Sequence, residues 1–245
     1  MAILLSVIIP ARNELRRLPS TLERVERYLA SLDMEWELLV VDNGSSDGTD
    51  RLVEDFAKAH PRIRLVRESR PGKGAAVRTG MLAAQGELAL FSDADLSCPI
   101  EEERKLREAL SAGYDVAIAS RRLPGSDAER TAERKLMSLL FNWVVRIIAL
   151  PGISDSQCGF KGFRREAAQR VFRAGRIDGW AFDVEILFLA RHMGCRIAEI
   201  PVRWRQVGDS KIRAFGDAAR MVRDMLRMRC NWARGLYRGK LEKRS

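Results

Sequence analysis

The first half of the chain alternates between two hydrophobic periods. Leu4 to Ile9 is an apolar, β-branched run that stops at Pro10 and reads as a first strand. Leu18, Leu22, Val25, Leu29 and Leu32 then recur at helical spacing, which predicts an amphipathic helix over 18–32. Strand-like runs return at Glu37–Val41, Ile63–Val66, Leu88–Phe91 and Val116–Ser120. Between them, Thr49–His60 places Leu52, Val53 and Phe56 on one face, and the Ala-rich stretch Gly74–Ala84 is helical in character. This β-α-β-α-β-α-β order predicts an α/β protein with a mostly parallel, doubly wound sheet. Its ligand is expected at the carboxyl ends of the strands.

The second half is less regular. Arg134–Leu150 is nearly all apolar, with Arg146 the only charge after Lys135. It falls short of the roughly 20 residues a bilayer span needs, so it is either a core helix or one lying at a membrane interface. Asp217–Leu236 carries Ala218, Met221, Val222, Met225, Met228, Trp232 and Leu236 at helical spacing, with Arg220, Arg223, Arg227, Arg234 and Arg238 elsewhere on the wheel. That pattern fits a membrane-surface helix, or a helix packed on the sheet with its arginines in water. The division expected is a main domain over 1–215 and a basic amphipathic helix and tail over 216–245.

Composition narrows the class. A chain of 245 residues, 46% hydrophobic, suits one large domain. Cys98, Cys158, Cys195 and Cys230 form no C-x-x-C pair, so neither a disulfide framework nor a zinc site is expected, and a reducing compartment fits. Met1–Pro10 has neither a basic leader nor a small-residue cleavage site and reads as a strand, not a signal peptide. The net charge of +10 is concentrated: from Arg203 to Ser245 there are 13 Lys and Arg against 4 Asp and Glu. A basic tail on a near-neutral body predicts an anionic partner at one end, either a phosphate-bearing substrate or an anionic membrane surface. Nucleic acid is the remote alternative, because the basic residues are not interleaved with aromatics in any recognisable module. The oligomeric state is open.

The candidate chemistry centres on Asp93 and Asp95, directly after the apolar run Leu88–Phe91. Two carboxylates so placed repel each other unless a cation lies between them or one takes up a proton. A hard divalent ion shared with nucleotide phosphate oxygens is the usual solution; the alternative is a loop in which Asp caps a helix and faces water. Asp42, at the end of the second strand, can accept hydrogen bonds from a nucleobase or ribose. Gly72-Lys73-Gly74 allows close backbone approach beside a positive charge, but it is not a Walker loop. His60 and His192 are isolated. For Trp143, Trp180, Trp204 and Trp232, core packing is the default.

Four segments carry a resemblance: Val7–Glu14, Val40–Thr49, Gly72–Gly80 and Ser92–Asp95. Together they resemble the inverting nucleotide-sugar glycosyltransferases of family 2, which have a GT-A fold. Asp155-Ser156-Gln157-Cys158-Gly159-Phe160-Lys161, Gly179–Glu185 and Ser210-Lys211 are similar to the dolichyl-phosphate sugar synthases of that family, and among them most to the β-glucosyltransferase type. The resemblance implies transfer of a hexose, glucose from UDP-glucose, to a polyprenyl or dolichyl phosphate with inversion. A mannose or other donor, or a soluble acceptor, is the alternative. It implies Mg²⁺ or Mn²⁺ held by Asp93 and Asp95. Ser97 stands where some mannose enzymes of the branch have a metal-approaching Gln, and it is a weaker ligand. Pro10, Ala11, Asn13, Glu14 and Asp42 are implied on the nucleoside side, with Lys73 and Gly74 also binding substrate. Arg121, Arg203, Ser210 and Lys211 are implied to grip phosphate, and Asp155 and Gln157 to lie on the acceptor side. Asp183 and Glu185 stand where inverting enzymes place a base. A phosphate monoester is already largely a dianion at neutral pH, its second pKa being about 6, so Asp183 is expected to orient groups rather than accept a proton. The expected location is peripheral, on the cytoplasmic face of a membrane.

Overall fold

The computed structural model describes residues 2–128, 142–207 and 214–237. A seven-stranded sheet forms its centre. The elements in chain order are β1 (Leu5–Ala11), α1 (Leu18–Ala30), β2 (Trp36–Asp42), α2 (Thr49–Ala59), β3 (Ile63–Arg67), α3 (Lys73–Ala83), β4 (Leu88–Ser92), α4 (Glu103–Ser111), β5 (Val116–Ser120) and the short β6 (Asp127–Ala128). Helical residues 142–148 make up α5. Then follow β7 (Phe160–Arg164), α6 (Arg165–Ala174), α7 (Phe182–His192), β8 (Ile197–Pro201), β9 (Arg203–Trp204) and α8 (Ala214–Ala233).

The strand order is β3-β2-β1-β4-β7-β5-β8, with β6 and β9 paired separately. All neighbours in the large sheet run parallel except β7, which is antiparallel to both β4 and β5. The predicted strands and the three early helices are all present, with ends shifted by about two residues. β1 runs on through Pro10 and Ala11, whereas the sequence ended it at Ile9. Its register with β4 stops at Ile8↔Phe91, so Pro10 falls where only the β2 side is paired. β7, α6, α7 and β8 had no counterpart in the sequence reading.

Both faces of the sheet are covered, which is why its strands read as near-continuous apolar runs. Val7, Ile9, Leu38, Val40, Leu90, Ala117 and Ala119 face one cluster, shared with Leu18, Leu22, Val25 and Leu29 of α1 and Leu106 and Leu110 of α4. Ile8, Leu39, Val41, Phe91, Ile118 and Phe163 face the other, shared with α3, α6 and α7. α8 joins that second cluster through Met221, Met225 and Met228, while Arg220, Arg223, Arg227 and Arg234 stay exposed. α5 does the same with Val145, but leaves Trp143 65% and Ile147 63% exposed. Core packing therefore does not hold for Trp143: it lies one turn from Ile147, on the side of α5 opposite the buried residues. Trp180 and Trp232 are partly buried against the core beside α3, α6 and α7, and Trp204 against the other. Among the described residues no helix is long and apolar enough to cross a membrane.

α3 lies close on the sheet because position 80 has no side chain. A Cβ on Gly80 would collide with Ile8 Cγ2 and stand 2.8 Å from Val41 Cγ2. Gly80→Val is therefore expected to destabilise the protein by about 1–3 kcal/mol through overpacking, read as a lower urea midpoint at unchanged slope.

Candidate active site

The site is built at the carboxyl ends of β1, β2, β4 and β5. Asp93 and Asp95 follow β4 in a tight turn that puts Leu96 at φ 47°. Asp95 Oδ1 accepts the Ser97 N–H at 2.9 Å. Burial, and then the neighbouring charge of Asp93, push the Asp95 carboxyl above its ordinary value. Asp93 lies against the loop before β7: a Cβ on Gly159 would collide with its carboxylate, so only glycine fits there.

Two lysines enter this acidic group. Lys73, the first residue of α3, sets Nζ 2.5 Å from Asp93 Oδ1, with the Trp180 ring 5.5 Å away. Burial alone would lower its pKa, but the charges of Asp93, Asp183 and Asp95 outweigh burial and raise it. Lys161 is fully buried on β7, donates to the Cys158 carbonyl at 2.6 Å and pairs with Asp183 at the start of α7. Burial pushes the Asp183 carboxyl up, against the opposing pull of Lys161 and Lys73.

The glycines of Gly72-Lys73-Gly74 serve a protein partner. The Gly74 and Ala75 N–H groups donate to the Asp178 carbonyl at 2.8 and 3.2 Å. A Cβ on Gly72 would collide with that same carbonyl, and one on Gly74 would stand 2.6 Å from the Ile177 oxygen. The 176–178 segment is held in turn by Glu185. Its Oε2 accepts the N–H groups of Arg176 and Ile177, each at 2.8 Å, and its Oε1 accepts the Tyr237 hydroxyl at 2.6 Å. Glu185 is thus engaged by the protein's own backbone and C-terminal end, away from the Asp93–Asp95 pair.

Arg121 follows β5 and is held by Asp155, whose Oδ2 accepts from Nε at 2.7 Å and whose Oδ1 accepts from NH2 at 2.8 Å. The pair is buried. Burial would lower the Arg121 pKa, yet Asp155 overrides it and raises it, and Asp93 adds to the rise. Gln157 donates its N–H to Asp155 Oδ1 at 3.3 Å, and its buried Nε2 has no hydrogen-bond partner.

A second group forms where the loops after β1 and β2 meet. Asp42 Oδ2 accepts from Gly44 N at 3.1 Å and Ser45 N at 3.3 Å. Asn13, at φ 54°, accepts the Ser46 N–H at 2.9 Å, and the Glu14 N–H donates to Thr49 Oγ1 at 3.0 Å. Pro10 and Ala11 lie in β1 directly before that loop. Asn43 ties it to the Lys73 loop: Nδ2 donates to the Arg70 carbonyl at 2.7 Å and Oδ1 accepts the Gly72 N–H at 2.8 Å.

The structure thus gathers Lys73, Asp93, Asp95 and Asp183, with Arg121 and Asp155 alongside. It places Asp42, Asn13 and Glu14 in the neighbouring loop group. Arg203 is elsewhere: its side chain is 59% exposed, and Nε pairs with the buried Glu102 at 2.6 Å. Ser210 and Lys211 lie outside the described residues. The sequence reading passed over Lys161, Gly159, Asn43 and Glu68 as site residues. For Lys161 a signal existed, a lone charge between Phe160 and Phe163. Among the described residues no group of three or more His, Cys, Asp or Glu gathers as a metal cluster.

Comparison with known proteins shows the family and the fold. The model of glycosyl transferase family 2 matches residues 6–172. The chain is 37% identical over 243 residues to a dolichyl-phosphate beta-glucosyltransferase of Trichomonas vaginalis, covering 94% of this chain and 72% of that one. To that of Saccharomyces cerevisiae it is 35% identical over 257 residues, covering 96% and 77%. To the human one it is 33% identical over 250 residues, covering 96% and 77%. Among solved structures, glucosyl-3-phosphoglycerate synthase from Mycobacterium tuberculosis in complex with UDP superposes with a TM-score of 0.64 at 24% identity, over 94% of this chain and 80% of that one. The same enzyme with Mn²⁺, UDP-glucose and phosphoglyceric acid gives 0.67 at 21% identity, with the same coverage. At this identity the likeness is one of fold, and the fold is GT-A.

The loop that presents Lys73 depends on Glu68. This buried carboxylate accepts from Arg70 N at 2.8 Å, Arg70 NH2 at 2.8 Å and the Thr79 hydroxyl. The Arg70 hydrogen bonds, with Thr79, hold its pKa at about 2, below the ordinary 4.5. The folded state therefore binds fewer protons than the unfolded state between these values. The stability Glu68 contributes is complete above pH 4.5 and is lost as pH falls toward about 2. Because Arg70 is half exposed, that loss is expected to be on the order of 1 kcal/mol. Glu68→Gln should flatten this limb when urea midpoints are compared at neutral and acid pH.

Proposed function

Because the chain belongs to glycosyl transferase family 2, we propose that it transfers glucose from UDP-glucose to dolichyl phosphate or a similar polyprenyl phosphate, with inversion at the anomeric carbon. The observation that carries this reading is the Lys73–Asp93–Asp95 cluster at the end of β4, in a chain whose curated relatives are named dolichyl-phosphate beta-glucosyltransferases.

Each side chain has a part in that reaction. Asp42, with the Asn13 and Glu14 loop, takes the nucleoside. Asp93 and Asp95 fit Mg²⁺ or Mn²⁺: they offer hard oxygen donors, and the burial that raises Asp95, together with repulsion from Asp93, disfavours two bare carboxylates there, which a cation between them relieves. Such ions draw the rest of their coordination from substrate phosphates and water. When bound, the ion supplies Lewis-acid neutralisation of the charge that grows on the leaving UDP. Arg121, fixed in orientation by its two bonds to Asp155, is aimed at the acceptor phosphate, for which a guanidinium gives paired hydrogen bonds. A phosphate oxygen of the lipid bonds to the anomeric carbon from the face opposite UDP as the bond to the UDP oxygen breaks. An α-linked donor gives a β-linked product. The phosphate arrives as a dianion, so no side chain has to remove a proton. Asp183 is a positioning residue that anchors Lys161 and adds to the field around Lys73.

The acceptor's lipid tail calls for attachment at a membrane. Trp143 and Ile147 on α5, flanking Arg146, and the exposed arginines of α8 suit a peripheral hold on an anionic cytoplasmic leaflet. Each well-placed basic residue contributes about 1 kcal/mol there. Ser210 and Lys211 belong to the same basic segment and are proposed to assist in holding phosphate, whereas Arg203 is taken up by Glu102. The proposed unit is the transferase domain over 1–215, with the helix and tail of 216–245 as its membrane-facing part.

The test is a radiolabelled transfer assay with UDP-glucose, GDP-mannose and other donors, against dolichyl phosphate and phosphoglycerate, with Mg²⁺ or Mn²⁺. Glucose transfer to the lipid phosphate is expected; transfer only to the soluble acid would overturn the acceptor assignment. Asp95→Asn should lower kcat/KM at least about 100-fold, as loss of a group that stabilises transition-state charge does. Asp183→Asn should lower kcat/KM without removing a limb from the acid side of the pH–rate profile; loss of such a limb near an acidic pKa would mark Asp183 as a general base instead. In flotation, the protein should rise with anionic vesicles at low salt and detach at high salt, and Trp143→Ala should weaken that hold.

A further inference from the structure

Lys73 holds a position that a divalent cation would contest. Its ammonium lies 2.5 Å from Asp93 Oδ1, in a site where the other buried lysine is committed elsewhere, Lys161 being bound to Asp183 and the Cys158 carbonyl. The backbone at Lys73 is pinned, because Gly72 and Gly74 are wedged against Asp178 and Ile177. The side chain is a four-carbon stem whose head lies against the Trp180 ring and is 16% exposed. Asp93 is itself fixed, with Gly159 packed against its carboxylate and Lys73 on Oδ1. A lysine ammonium and a divalent ion cannot share that oxygen at contact distance without strong like-charge repulsion. A nucleoside diphosphate changes the balance, because it brings anionic oxygens to which Lys73 can turn.

We propose that Lys73 is a resident counter-cation which neutralises Asp93 while no donor is bound and transfers to the donor diphosphate when one arrives, so that the divalent ion and the nucleotide bind in concert. This rests on the metal reading of Asp93 and Asp95 given above. Its consequence is thermodynamic. The ion on its own must displace Lys73 with no compensating anion and binds weakly. With the diphosphate present, Lys73 gains a partner as it leaves Asp93, and the ion binds tightly. By linkage, the nucleotide is equally dependent on the ion.

The experiment titrates the full chain with Mn²⁺ alone, UDP alone and Mn²⁺ with UDP, following free Mn²⁺ by electron paramagnetic resonance and heat by calorimetry. Lys73→Met keeps the stem and removes the charge. It is expected to bind Mn²⁺ alone about fivefold or more tightly than the wild type, with the factor by which UDP strengthens Mn²⁺ binding reduced to a similar extent. Lys73→Arg keeps a cation on Asp93 and should show no such gain. Equal or weaker binding of Mn²⁺ alone by Lys73→Met would overturn the proposal. So would a gain for Lys73→Arg as large as that for Lys73→Met, since loss of the charge on Asp93 would then not account for it. If no protein binds Mn²⁺ even with UDP present, the metal reading itself fails, and this inference with it.

Discussion

Three carboxylates, Asp93, Asp95 and Asp183, share one end of the sheet, and the two lysines set among them make that arrangement possible. Lys161 is the more deeply placed, with no solvent exposure at all. A buried ion pair adds little net stability, but losing one partner leaves an uncompensated charge that costs about 3–5 kcal/mol. Asp183 and Lys161 therefore hold each other in place, and Lys73 meets a fixed field rather than an adjustable one. The antiparallel strand β7 is what delivers this. Lys161 stands opposite Phe91 on one side and Ile118 on the other, so it sits between the strand that leads to Asp93 and the strand that leads to Arg121.

Around this centre, most of the polar residues near the site grip backbone. Asn43 spans from the β2 loop to Gly72, Glu68 clasps Arg70 and Thr79, and Glu185 clasps Arg176 and Ile177. The Asp178 carbonyl then closes onto the first N–H groups of α3. These contacts form a continuous support running from the loop after β2 to α7. Tyr237, just after α8, joins it through Glu185. The C-terminal helix is thereby mechanically joined to the loop that positions Lys73, even though its exposed side carries arginines suited to a different surface.

Much of this was legible in the sequence. The strands β1, β2, β4 and β5 announced themselves because each is largely buried and reads as a near-continuous apolar run, bounded by Pro, Gly or Asp; β3, at the sheet edge, is only partly buried and keeps two arginines among its apolar residues. Asp93 and Asp95 were legible because two acids directly after such a run have few structural uses. What failed to show was whatever depends on partners distant in the chain. β7 reads Phe-Lys-Gly-Phe-Arg, with a charge and a glycine in its middle; only pairing with a strand on each side makes it one. α7 is apolar nearly all round, so no amphipathic period marks it. Arg203 looked like a phosphate ligand because it heads a basic segment. Its partner Glu102 is 101 residues away, and nothing local pointed to it. Trp143 was assigned to the core on residue type, whereas the apolar pattern of α5 leaves it on the outer side of a helix whose inner side is already filled.

The placement of β7 also bears on how the molecule is made. β5 and β8 reach the rest of the sheet only through it. A growing chain can therefore complete β3-β2-β1-β4 early, but its last strand then presents a bare row of hydrogen-bonding groups until residues 160–164 emerge and dock. Such a row is a template for pairing with other chains. A chain that ends between β5 and β7 thus carries an unpaired β4 edge, and the same short strand that supplies the buried ammonium covers it.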